Sequence, residues 1–116
     1  MRRSFNRISL FPSTTGTGTA SGTGSSFEVG TFDTGVFFLD ITAGTGTTPS
    51  LAVRVETYNV LGNDWLTLGT FTAGTAAGTE RITSAYLGER LRGYYAVTGS
   101  GTSASFTFSV EGLVKS

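Results

Sequence analysis

Apolar side chains recur at every second position in several short stretches of this chain, and that spacing restricts the folds open to it. The pattern is clearest in residues 36–42 (VFFLDIT), 51–56 (LAVRVE) and 106–110 (FTFSV). Side chains two residues apart lie on the same face of a β-strand, so each stretch predicts a strand with one apolar face. Weaker strand signals occupy residues 27–29, 65–71, 80–83 and 94–98.

Segments rich in glycine, serine and threonine separate these stretches, as is typical of antiparallel sheets. The three residue types make up 51 of the 116 residues, yet 29 residues are Leu, Ile, Val or Phe, enough for one hydrophobic core. Only residues 87–92 (LGERLR) suggest a helical turn. We therefore predict an all-β fold, an antiparallel β-sandwich or a small barrel, with an extended N-terminal arm.

The absence of whole residue types excludes several kinds of chemistry. The chain has no cysteine and no histidine, which removes thiol nucleophiles, histidine-based triads and the usual zinc ligands. Eight basic residues balance eight acidic ones, so no net charge attracts nucleic acid or an anionic membrane. Apolar runs are too short for a membrane span or a signal peptide. We expect a protein that is not an enzyme, needs no cofactor or metal, binds neither nucleic acid nor membrane, and works where it is made.

The first 26 residues differ in composition from the rest of the chain. Residues 1–12 (MRRSFNRISLFP) are basic and apolar, and residues 13–26 are all small, as in a flexible linker. We predict that this arm docks on a neighbouring subunit and that residues 27–116 form the β-domain, so that deleting the first 12 residues leaves a folded but assembly-defective chain. The alternative is a strand within the same chain, since threonine favours extended backbone. The predicted contact residues are Arg2, Arg3, Phe5, Arg7, Ile8, Leu10 and Phe11.

Two segments of the chain resemble each other. Residues 44–56 (GTGTTPSLAVRVE) and 99–111 (GSGTSASFTFSVE) each join a small-residue loop to an alternating strand, and each follows another strand candidate. This internal similarity predicts two hairpins whose loops lie at one end of the sandwich. Turn-forming residue types alone would also produce the same similarity. The loop residues that would form a surface are Thr45, Thr47, Pro49, Ser100 and Thr102.

Carboxylates and aromatic residues offer weaker functional hypotheses. Glu56 and Glu111 are the last residues of the two similar segments and would have to approach each other to act as a catalytic pair. Each is more simply a solvent-facing strand residue, with Glu56 near Arg54. Aromatic side chains bind sugars by stacking, and a site of this kind would use some of Tyr58, Trp65, Tyr86, Tyr94 and Tyr95.

A longer run of motifs extends over about residues 34–113 and leaves out the arm and linker. The motifs are residues 39–42 (LDIT), 46–49 (GTTP), 65–68 (WLTL), 71–79 (FTAGTAAGT) and 101–110 (GTSASFTFSV). Together they resemble small virion proteins of tailed bacteriophages.

The resemblance implies a structural role in a phage particle. Among such proteins, the chain is most similar to capsid decoration, or cement, proteins. That similarity implies a homotrimer that binds the major capsid protein and stabilises the capsid by bridging its subunits. The implied location is the capsid surface of the virion, after synthesis in the host cytoplasm. A neck or tail component, or a carbohydrate-binding module that attaches the particle to surface glycans, is the alternative.

Overall fold

The computed structural model describes residues 5–18, 20–46, 48–99 and 104–116, with only the backbone described for Phe5. Every regular element within these ranges is a β-strand, which confirms the predicted all-β class. The strands are β1 (Phe5–Thr17), β2 (Ser21–Thr23), β3 (Phe27–Glu28), β4 (Thr34–Thr45), β5 (Ser50–Asn59), β6 (Asp64–Thr70), β7 (Gly78–Ala85), β8 (Arg90–Thr98) and β9 (Ser105–Lys115).

Two antiparallel sheets form a sandwich. Sheet A has the strand order β1-β9-β4-β7, and sheet B has the order β2-β8-β5-β6, with β3 pairing β8 farther along the same edge. Of the two predicted architectures, the structure has the sandwich.

The core lies between the sheets and is built by the alternation seen in the sequence. On β4, Phe37, Leu39 and Ile41 are buried, while Phe38 and Asp40 between them are exposed. Strands β5 and β9 repeat the pattern with buried side chains at every second position. Each buried side chain of this size contributes roughly 1.5–3 kcal/mol through removal of apolar surface from water. The buried residues of β5 and β9 include Leu51, Val53, Val55, Phe106, Phe108, Val110 and Val114.

The prediction of two hairpins is wrong, because the two strands that would form each hairpin lie in different sheets. Strand β4 pairs with β9 and β7 in sheet A, whereas β5 pairs with β8 and β6 in sheet B. Alternation shows which side chains face inward, but both sheets face the same core, so it does not assign a strand to a sheet. The two connections do lie at one end of the sandwich, since Thr45 is opposite Ser105 and Ser50 is opposite Thr98.

The N-terminal arm is a strand of the sandwich rather than a separate segment. Strand β1 lies at the edge of sheet A and pairs with β9 from Phe5↔Lys115 to Thr17↔Ser105. The pairing shifts register on either side of Phe11, which places Leu10 and Pro12 in irregular positions. A bulge lets two consecutive side chains turn inward and accommodates a proline that has no N–H to donate. The structural boundary therefore does not fall at residue 26.

The glycines of the predicted linker have a packing role. A Cβ atom on Gly16 would lie 2.9 Å from the Tyr95 ring, and one on Gly22 would lie 3.2 Å from it. The ring of Tyr95 therefore covers β1 and β2 closely only because both positions lack a side chain. The chain changes sheets around Gly18, whose φ of 68° favours glycine. Residues 87–92 form no helical turn, because β8 already begins at Arg90.

Candidate interaction surfaces

The structure removes three of the predicted contact residues from any outer surface. Ile8, Leu10 and Phe11 are buried in the core of their own chain, which corrects the prediction that they contact a neighbouring subunit. The rings of Phe108 and Tyr95 pack edge-to-face on Phe11, with centroids 5.6 Å and 5.5 Å away. This geometry belongs to an interior cluster.

The remaining predicted contact residues are only partly placed. Arg7 is exposed on the outer face of sheet A, opposite Leu113. Arg2, Arg3 and the side chain of Phe5 lie outside the described residues.

Two of the predicted loop residues can be located. Thr45 is exposed at the end of β4, and Pro49 is half-buried just before β5. Thr47, Ser100 and Thr102 lie outside the described part of the chain. The loop surface therefore stays a prediction.

The outer face of sheet B carries a charged cluster centred on Glu56. This carboxylate is only 3% exposed, although the alternation of β5 directs it away from the core. The Nε atom of Arg54 donates to Glu56 Oε2 at 2.9 Å, and the Nε atom of Arg92 donates to Oε1 at 2.7 Å. Strand pairing places Arg92 directly opposite Glu56, so the backbone register builds the bridge. Both guanidinium groups keep further N–H donors for another acceptor.

Three aromatic rings complete this face. The Arg54 guanidinium lies 4.1 Å from the centroid of Tyr94, and that of Arg92 lies 4.3 Å from Trp65. Arg90 covers Tyr58 at 4.9 Å. Cation–π contacts hold all three arginines in place, and the carboxylate of Glu56 also holds Arg54 and Arg92. We call the set of Arg54, Glu56, Tyr58, Trp65, Arg90, Arg92 and Tyr94 the arginine–aromatic face.

Sequence reasoning found only part of this face. The spacing in LAVRVE placed Glu56 near Arg54, and Tyr58, Trp65 and Tyr94 were named as possible sugar-binding residues. Arg90 and Arg92 were missed because residues 87–92 were assigned to a helical turn. The alternation of Leu91 with these two arginines is the signal that could have identified a strand.

The turn between β5 and β6 has exposed apolar side chains at its tip. Leu61 is 99% exposed and Val60 is 59% exposed. Tyr58 donates its hydroxyl hydrogen to Asn63 Oδ1, and Asn59 Nδ2 donates to Asp64 Oδ1 at 2.9 Å across the base of the turn. Isolated exposed apolar residues are common on protein surfaces, so the tip is a weaker candidate than the arginine–aromatic face.

The carboxylates do not form a catalytic or metal-binding arrangement in the described part of the chain. Glu56 lies on the outer face of sheet B and Glu111 on that of sheet A, so the sandwich separates them. Asp40 is exposed on the outer face of sheet A. No group of three or more acidic residues that could hold a metal ion occurs among the described residues. Nor does any helix suited to crossing a membrane occur in those ranges.

Sequence comparison and structure comparison give different results. No protein-family model matches the chain, and no curated protein matches it in sequence. Similar solved structures exist, at low identity. A chain of the T13 viral particle of infectious bursal disease virus superposes on 98% of this chain with a TM-score of 0.66 and 9% identity.

Two further structures extend the comparison. The SPBc2 prophage-derived protein YomS matches all of this chain and 96% of its own length, with a TM-score of 0.59 and 13% identity. The PBSX exported protein XepA matches 94% of this chain with a TM-score of 0.65 and 12% identity. The chain spans about a third of the length of the viral and XepA chains, at 31% and 36%. The β-sandwich of this chain is thus a fold that also occurs in a virus particle and in a prophage-derived protein.

Proposed function

We propose that this chain is a structural protein of a phage particle, which binds the outside of the capsid and stabilises it by bridging major capsid subunits. The observation that carries the proposal is the match of the whole sandwich, end to end, to a viral particle chain and to prophage-derived YomS. The phage virion resemblance of residues 34–113 supports the same role independently of that match.

The arginine–aromatic face is the surface best suited to dock on the capsid. Arginine, tryptophan and tyrosine are the residue types that dominate binding energy in protein interfaces. Here they occupy one face, and Glu56 already holds two of the arginines in place. Pre-ordered side chains lose less conformational entropy on binding. The free N–H groups of Arg54 and Arg92 suit carboxylates on the partner.

Particle binding by this route needs no catalysis and no cofactor. Many copies on one symmetric shell would convert a modest affinity at each site into strong overall attachment. The proposed location is the capsid surface, after synthesis in the host cytoplasm. The homotrimer that the resemblance implies stays a prediction.

Binding to shells that lack this chain tests the proposal. Purified chain should co-sediment with such shells and raise the temperature at which they rupture. Arg90→Ala should reduce binding at least tenfold, because it removes a guanidinium group and uncovers Tyr58 on the docking face. It should change the unfolding temperature little, because the side chain is 41% exposed. Arg7→Ala, on the opposite sheet, is the matched control and should bind normally. Loss of binding only in the Arg7 variant would move the docking site to sheet A, and failure of the unchanged chain to bind would contradict the proposal.

A carbohydrate-binding module is the second candidate, because Tyr58, Trp65 and Tyr94 share one outer face. The arginines that cover these rings at 4.1–4.9 Å occupy the faces on which a sugar would stack. We therefore rank glycan binding below capsid binding. A glycan array with the unchanged chain tests it directly.

A further inference from the structure

The outer face of sheet A departs from the usual pattern of polar residues toward water. Phe38 is 45% exposed in the middle of β4, and Leu113 is 40% exposed on the neighbouring β9. Val36, half-buried, lies directly opposite Leu113. A shallow groove of about 490 Å³ is lined by Val36 and Leu113, with Thr83 on its other wall. The outward face of an antiparallel sheet is usually polar, so three neighbouring apolar side chains make this face a candidate interaction surface.

Two charges of opposite sign flank the exposed ring of Phe38. Strand pairing places Arg81 of β7 on one side of Phe38 and Glu111 of β9 on the other. Both side chains are exposed, and neither forms an ion pair within the described residues. The row across this face thus reads cation, aromatic ring, anion.

We propose that a second copy of this chain packs on sheet A about a two-fold axis that runs along β4. Rotation by 180° about this axis places β7 of one copy over β9 of the other, with the outer faces of the two A sheets in contact. Phe38 then meets Phe38 of the partner subunit, and Arg81 of each copy meets the partner's Glu111. In the next row, Thr83 faces the partner's Leu113, whose side chain enters the groove.

The charge pattern selects this axis over the other possible one. A two-fold axis across the strands would place Arg81 on its own symmetry mate and Glu111 on its own. Like charges in contact across an interface cost several kcal/mol. The axis along β4 creates two opposite-charge pairs and one like-charge contact, between Asp40 and the partner's Asp40, whereas the axis across the strands at Phe38 creates two like-charge contacts and no opposite-charge pair among these residues. Packed sheets keep their strand directions within about 30°, which the axis along β4 allows.

The contact area predicts a weak pair. Strands β9, β4 and β7 together are about 14 Å wide, and the outward rows of β4 extend about 27 Å, giving about 400 Å² per copy. Standard interfaces bury about 800 Å² per partner, so the pair should form only at high concentration. The proposal favours a two-fold pair over the homotrimer implied by the resemblance, and it holds whether or not the chain binds capsids.

Charge reversal with mixing tests the pairing of the two copies. Arg81→Glu alone and Glu111→Arg alone should each abolish association, since each places like charges in contact. An equimolar mixture of the two variants should associate again, because position 81 then faces a position 111 of opposite charge at both ends of the pair. Sedimentation equilibrium over a concentration series reads out the mass, which should approach twice the 12.1 kDa of one chain. Unfolding temperatures should stay unchanged, because both positions are exposed.

Mixing with the unchanged chain tests the axis. With the axis along β4, Arg81→Glu should associate with the unchanged chain more weakly than the unchanged chain associates with itself, because one of the two pairs then joins like charges. With the axis across the strands, the same mixture should associate more tightly, because the substituted position 81 would face the partner's Arg81. The second result would overturn the proposed axis.

Two further results would overturn the proposal. A chain that remains monomeric at the highest concentration shows that this face does not bind a second copy. A limiting mass of three chains supports the homotrimer instead. A short thiol crosslinker applied to Phe38→Cys provides a separate check, since the chain has no other cysteine and the two Phe38 positions should meet.

Discussion

Replacing Phe11 by alanine tests whether the N-terminal strand is part of the core. Phe11 is 4% exposed, and its ring touches Tyr95 and Phe108 edge-to-face. Truncation of a buried phenylalanine costs about 3–5 kcal/mol, which includes the cavity left behind. That loss is a large share of the roughly 5–15 kcal/mol that stabilises a domain. At about 4 °C per kcal/mol for a chain of this size, the midpoint of thermal unfolding should fall by about 15 °C.

Circular dichroism melting and urea unfolding measure this effect. Phe38→Ala is the matched control, because it removes the same side chain from sheet A at a position that is 45% exposed, and it should cost less than about 1 kcal/mol at low protein concentration. Deletion of residues 1–12 should unfold the chain, since it removes Ile8 and Leu10 as well. A truncated or Phe11→Ala chain with an unchanged melting temperature would refute the reasoning and restore the detachable arm.

Three further predictions concern packing, the charged cluster and glycan binding. Gly93→Ala should cost about 1–3 kcal/mol in urea unfolding, because its Cβ would lie 2.5 Å from the Phe11 ring, whereas Gly30→Ala meets no atom within 4 Å and should be neutral. Glu56→Gln should lower the free energy of unfolding by about 1–2 kcal/mol in the same measurement, because it removes the charge that binds two arginines. Those arginines are partly exposed, which reduces the expected loss. The control, Glu111→Gln at low protein concentration, should change the free energy of unfolding by almost nothing. Equal losses within either pair of variants would contradict the packing described for that pair. On a glycan array the unchanged chain should show no saturable binding, and a signal abolished by Trp65→Ala would favour the carbohydrate-binding module.

Alternation in the sequence predicted most strands, because it reports directly which side chains face a core. All seven predicted strands overlap observed ones. Their number and spacing indicated a sandwich or a small barrel, and the structure has the sandwich. Strand partners could not be predicted, since residues 36–42 and 51–56 have the same inward pattern although they lie in opposite sheets. Short connections between sheets and hairpin loops share the same glycine- and threonine-rich chemistry.

The prediction that residues 13–26 form a flexible linker was wrong, because their small side chains have a packing role that the local sequence does not show. A run such as residues 13–26 resembles a linker when read alone, but Gly16 and Gly22 are small because Tyr95 lies against them. The packing partner is about 75 residues away in sequence, so no local pattern reveals it. The arginine–aromatic face was partly hidden for a similar reason, since the contact between Arg92 and Glu56 depends on the β5–β8 register.

Immunogold electron microscopy of phage particles from the source lysate, with antibody against the purified chain, tests the proposed function most directly. The account predicts dense label over the whole head, as expected for many copies on the capsid. Label confined to the neck or tail would contradict capsid binding while keeping a structural role in the particle. The absence of label from every particle would contradict the proposed function altogether.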